Sequence, residues 1–119
     1  MKTMSKRSRF TNALALLLLQ MDSCKDVPLL DFVKRTTEEQ KRLYEAGLSG
    51  CDGERIISKH QLGLAADIYL LSPDAKSIID WKTIPLRSEY YHEFWETLGG
   101  LPVLKDSEGK PYDLGHFEF

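Results

Sequence analysis

The sequence predicts an α+β fold, a small sheet with helices packed on it, and three observations carry that prediction. Phe10, Leu14, Leu17, Leu18 and Met21 recur at helical spacing near one end, and Tyr91, Phe94, Trp95 and Leu98 do so near the other. Between them, Ile68-Tyr69-Leu70-Leu71 is an unbroken apolar run of strand length. At the C-terminus His116-Phe117-Glu118-Phe119 alternates polar and aromatic residues, the period of a half-buried strand. The 119 residues are enough for one domain, residues 1–119, that buries a core without staples.

The first element is a core helix over Ser8 to Met21. Basic residues (Lys2, Lys6, Arg7, Arg9) followed by Ala13 to Leu19 superficially resemble an export signal. The apolar run is shorter than the roughly 20 residues that span a bilayer. No small-residue cleavage site comes after it, and Asp22 spoils a lipoprotein signal. The protein is therefore expected in the cytoplasm at synthesis. Leu29 to Val33 reads as a short strand. Thr36-x-x-Glu39 and Thr37-x-x-Gln40 are both capping boxes, so a helix begins there, runs through Leu43 and Tyr44 and stops near Gly47.

Ser49, Gly50, Asp52 and Gly53 mark a loop, and Ser72-Pro73-Asp74 a turn. Ile78 to Trp81 reads as the end of a strand, and Pro85 interrupts the residues after it. Ser88 to Leu98 forms a helix ended by Gly99-Gly100, its aromatic face in the core and Trp95 the residue placed to line a cleft. Lys105 to Pro111 is a polar turn or hairpin loop that delivers Asp113 and His116.

Composition narrows the function. The net charge of −2 gives no electrostatic basis for nucleic-acid binding. Cys24 and Cys51 have no metal-site spacing and read as reduced thiols. The informative stretch is Ser58 to Leu71. His60 and Asp67 lie either side of Gly63, Ala65 and Ala66, with Asp67 at the mouth of a buried strand. An ionised carboxylate there is costly unless paired or bound to a cation. His116 and Glu118 share one face of the last strand. Two imidazoles and one carboxylate, His60, Asp67 and His116, form the ligand set of a catalytic zinc site with an open fourth position. Asp113 can stand beside the metal as general base, with Glu118 its rival. His92 and Ser58 read as structural, and Arg35, at the strand-to-helix junction, as either a surface ion pair or a guanidinium pointed at the site.

These residues carry a resemblance. S-x-H-x-x-G-x-A-x-D, met by Ser58, His60, Gly63, Ala65 and Asp67, followed by D-x-x-H at Asp113 and His116, resembles the zinc D-alanyl-D-alanine peptidase family. Its members include vancomycin-resistance D,D-peptidases, phage L-alanyl-D-glutamate endolysins and, by fold, the hedgehog signalling domain. Arg35-Thr36-Thr37-Glu38-Glu39-Gln40 and Phe94-Trp95-Glu96-Thr97-Leu98-Gly99-Gly100 resemble two further segments of that family. The likeness spans roughly residues 35–119.

The resemblance implies a hedgehog/DD-peptidase-like fold with an antiparallel sheet. It also implies Zn²⁺ on His60, Asp67 and His116, Asp113 as base, and Arg35 on a substrate carboxylate or carbonyl. The implied partner is a peptidoglycan stem peptide, with no nucleic acid and no membrane, and the chain is expected to act as a monomer. Compact phage-type members favour cleavage of L-Ala-D-Glu, endolysin-like, on the cell wall after release. Removal of terminal D-Ala is the alternative, and a non-catalytic zinc-containing binding module, as in hedgehog, is a third.

Overall fold

The computed structural model describes residues 2–31 and 33–119, with side chains from residue 5 onward. Three α-helices, one 3-10 turn and four strands are formed among the described residues, in the order α1 (Lys2–Ser23), β1 (Val27–Leu30), α2 (Thr37–Glu45), β2 (Ala65–Leu71), β3 (Ile78–Ile79), the 3-10 turn Trp81–Thr83, α3 (Pro85–Thr97) and β4 (His116–Glu118). The fold is α+β, as expected. Every strand pairing is antiparallel.

Strand β2 is the centre of the sheet. β1 pairs along one side of it, Val27 opposite Leu71 through Leu30 opposite Ile68. On the other side β3 pairs with its C-terminal half and β4 with its N-terminal half, setting Asp67 opposite His116 and Ala65 opposite Glu118. Ile68 and Leu70 are fully buried, whereas Tyr69 is exposed. The sheet therefore covers the core with one face and leaves the other, which carries Asp67, open.

The core is closed by helices. Phe10, Leu14, Leu17 and Met21 of α1 are buried and join Tyr91 and Trp95 of α3 and Phe117 of β4 in one cluster. The apolar run that resembles an export signal thus supplies the core. Among the described residues no helix is long and apolar enough to cross a membrane. The Tyr91 hydroxyl donates to Asp26, which also accepts from Arg87 Nη1 at 3.0 Å, tying α3 to the turn between α1 and β1. No disulfide joins Cys24 and Cys51.

Four local readings need correction. The first strand is Val27–Leu30, not Leu29 to Val33, and Phe32 of the expected run lies outside the described residues. Pro28 sits inside it, which is possible because β1 is an edge strand and the missing N–H costs no ladder bond there. Strand β2 begins at Ala65, three residues before the apolar run. Pro85 interrupts no element but starts a helix, at the first position where its missing N–H is harmless. Trp95 lines no cleft; it is fully buried and its Nε1 donates to the Glu118 carbonyl at 2.8 Å. The cap at Thr36 and the polar loop before Asp113 are as expected. Thr36 caps α2, accepting from Glu39 N, and the loop Lys105 to Pro111 closes on a bridge between those two residues.

Candidate metal centre

The turn from Ser58 to Leu64 places the first histidine. Ser58 Oγ accepts from Gln61 N at 3.2 Å, and Ser58 N donates back to Gln61 Oε1 at 3.0 Å. Gly63 then turns at φ +68°, a left-handed conformation open to glycine without strain, and its N–H bonds the His60 carbonyl. Leu64 leads directly into β2. His60 is buried, at 4% exposure, and its Nδ1 donates to the Val33 carbonyl at 3.0 Å. That bond fixes the ring, so Nε2 is the nitrogen that meets Asp67, 3.2 Å from Oδ2.

Asp67 projects from β2 on the open face of the sheet, and β4 brings His116 opposite it. His116 Nδ1 lies 3.1 Å from Asp67 Oδ1 and its Nε2 lies 3.1 Å from Glu118 Oε1. The two imidazole rings meet edge to face, centroids 5.2 Å apart. One ligand atom from each of His60, Asp67 and His116 lies within 4.8 Å of the others, a spacing that could hold a metal ion. Three borderline-to-hard donors, with a carboxylate to balance charge, suit a divalent cation. The three sequence-predicted ligands therefore come together.

The electrostatics follow from this crowding. Burial opposes ionisation of Asp67, but hydrogen bonds from His116 and His60 outweigh it and hold its carboxyl far below the usual range. Burial likewise disfavours charged His116, yet its bonds to Asp67 and Glu118 raise its pKa to about 9. His116 lowers the pKa of Glu118 in turn. Glu118 thus holds the nitrogen of His116 that faces away from Asp67, as a carboxylate that orients a ligand does.

Asp113 ends the loop before β4, at the rim of the cluster. Although its side chain reaches solvent, the protein packed around it raises its pKa. His116 opposes that shift, Asp67 adds to it, and His60 and Arg35 oppose it. A cleft of about 1100 Å³ opens beside Asp67 and Asp113, walled by α3 and by the segment from Val103 to Gly115. Arg35 is brought in from the other side. Its N–H bonds the His60 carbonyl at 2.9 Å, its Nη1 donates to Gln40 Oε1 at 2.7 Å, and Nη2 stands 3.9 Å from Asp67 Oδ2.

Two residues make contacts here that the sequence did not signal. Gln40 is fully buried; besides holding Arg35 it donates to Ser49 Oγ and the Cys51 carbonyl, tying down the loop that borders the site. Its place at the end of a capping box gave no sign of this. His92, read as structural, bonds the Leu114 carbonyl between Asp113 and His116.

No family model and no curated protein matches the sequence. Among solved structures, the chain is similar to the LdcB LD-carboxypeptidase, whose structure is described as revealing the molecular basis of peptidoglycan recognition. The TM-score is 0.65 and the identity 14%, over 93% of this chain and 57% of that one. The chain thus spans a little over half the length of that neighbour. At this identity the likeness speaks for the fold: the chain has the DD-peptidase-like fold.

Proposed function

We propose that the protein is a zinc-dependent peptidase of bacterial peptidoglycan stem peptides, one domain over residues 1–119, and that it cuts the L-Ala-D-Glu bond. The observation that carries the reading is the convergence of His60, Asp67 and His116 on one point with Asp113 beside it. A pure binding module has no use for a positioned proton acceptor.

In this reading His60 Nε2, Asp67 and His116 Nδ1 would hold zinc. When bound, zinc supplies a Lewis acid for the scissile carbonyl and acidifies the attacking water. Asp113, whose carboxylate stands beside the cluster, accepts the proton of that water. It then returns the proton to the leaving amine. Arg35, held by Gln40, presents its guanidinium to the developing oxyanion or to a substrate carboxylate. Glu118 keeps His116 oriented and is not the base. The peptide lies in the cleft beside Asp67 and Asp113.

A second reading, a carboxypeptidase trimming a terminal D-amino acid, is favoured by the likeness to a carboxypeptidase. Digestion of purified peptidoglycan by zinc-loaded protein, with and without chelator, separates the two. New D-Glu amino termini that vanish with chelator support the endopeptidase, and released D-alanine the carboxypeptidase. Zinc bound at one per chain with no cleavage would overturn both and leave a zinc-containing binding module.

A further inference from the structure

We propose that His92 of α3 is a positioning residue for this centre, gripping the segment that delivers Asp113 and His116. Its imidazole is buried, at 4% exposure, and its Nε2 lies 2.7 Å from the Leu114 carbonyl. A carbonyl only accepts, so Nε2 carries the proton and donates. The ring also stacks on Phe117, centroids 4.2 Å apart at an interplanar angle of 11°. Leu114 follows Asp113 and Phe117 follows His116, so one side chain holds the segment on both sides of the third ligand.

The segment needs such a hold. Asp113 sits at φ +49°, and the turn is closed locally by His116 N donating to the Asp113 carbonyl at 2.9 Å. It is tied to the sheet by Ile68 N donating to the Gly115 carbonyl at 2.8 Å, just before the pairing of His116 with Asp67 begins. His92 adds a side-chain anchor from α3 directly at Leu114, beside the one that Trp95 makes further on at Glu118. A phenyl ring would fill the stacking position equally well, without leaving a buried Nδ1 unpartnered as His92 does. What the imidazole adds over phenyl is the hydrogen bond to Leu114.

His92→Phe keeps the stack and deletes that bond, whereas in His92→Gln the amide nitrogen can reach the place of Nε2. Zinc affinity is measured by titration of the metal-free full chain, kcat and KM on the muropeptide that the wild type cleaves, and folding by thermal unfolding. We expect His92→Phe to fold, to bind zinc about tenfold more weakly, and to lose roughly 10- to 100-fold in kcat with KM unchanged, the range seen when outer-shell partners of metal ligands are removed. His92→Gln should recover most of both. Wild-type zinc affinity and kcat in His92→Phe would overturn the proposal, as would equal losses in both variants. Should His92→Phe not fold, His92→Asn, too short to reach Leu114, takes its place against His92→Gln under the same criteria. The activity arm rests on the proposed function; if the wild type cleaves no muropeptide that function fails, and the zinc affinities alone decide the role of His92.

Discussion

Asp113 occupies a backbone conformation, φ +49°, that most side chains avoid but Asp and Asn tolerate. That decides how its role is tested. Asp113→Asn keeps the turn and the size of the side chain while removing the proton acceptor; Asp113→Ala would change the backbone preference as well. We expect Asp113→Asn to bind one zinc per chain with wild-type affinity and to lose roughly 10²- to 10⁴-fold in kcat, the usual worth of a positioned general base. Full turnover in that variant would move the role elsewhere. Glu118 then separates from it by phenotype. Glu118→Gln leaves Asp113 in place but replaces the carboxylate that holds His116 Nε2 with an amide. Its expected effect is a zinc affinity about tenfold weaker, read by competition with a chromogenic chelator, with any turnover of the zinc-saturated protein lowered far less than in Asp113→Asn.

At the scale of elements, the centre depends on how closely β4 and the residues before it lie against β2. Gly115 approaches the sheet closely: a Cβ there would stand 2.6 Å from the Ile68 carbonyl oxygen and 3.0 Å from Trp81 Nε1. Both neighbours are committed, since Trp81 Nε1 donates to that same carbonyl. Gly115→Ala should therefore push the Asp113–His116 turn off the sheet, lowering Tm and zinc affinity together, measured by thermal unfolding with and without metal. Retention of both would show that the turn can shift without moving His116. This dependence also bounds how much is legible in the sequence. The spacings of His60, Asp67 and His116, and the polar–aromatic alternation after Gly115, are local signals, and they picked out the three side chains that the fold brings together. The start of β2 was not legible, because Ala65 and Ala66 have little strand preference; they are strand because β4 pairs with them and the core covers them. The shift of β1 across Pro28 has the same cause, since edge pairing decides it rather than local preference. The roles of Gln40 and His92 arise from contacts to distant backbone, which no pattern along the chain records.

At the scale of the whole molecule, His92 behind the centre and His116 within it give the metal-free protein a stability that falls on both sides of near-neutral pH. His92 is kept neutral: burial lowers its pKa below the ordinary value of about 6.5, with the Leu114 bond and Glu96 opposing the shift and His116 adding to it. Its contribution is complete above that value and is lost as pH falls, because the unfolded chain takes up a proton that the fold resists. His116 behaves oppositely. Its pKa of about 9 means that the fold holds the proton more tightly than the unfolded chain, so its contribution is complete below about 6.5 and is lost as pH rises through 9. The shift of Asp67 acts only in strong acid, where its carboxylate is finally protonated. Urea unfolding of metal-free protein between pH 5 and 9.5 should therefore show a maximum near pH 6.5 to 7, each limb falling by no more than about 1.4 kcal/mol per pH unit for a single proton. His92→Phe should flatten the acid limb and leave the alkaline one in place. Zinc should remove the alkaline limb, because a metal on His116 Nδ1 takes the place of the proton whose loss produces it. An acid limb unchanged in His92→Phe would assign that limb to other groups, and an alkaline limb that survives zinc would mean His116 is not a ligand.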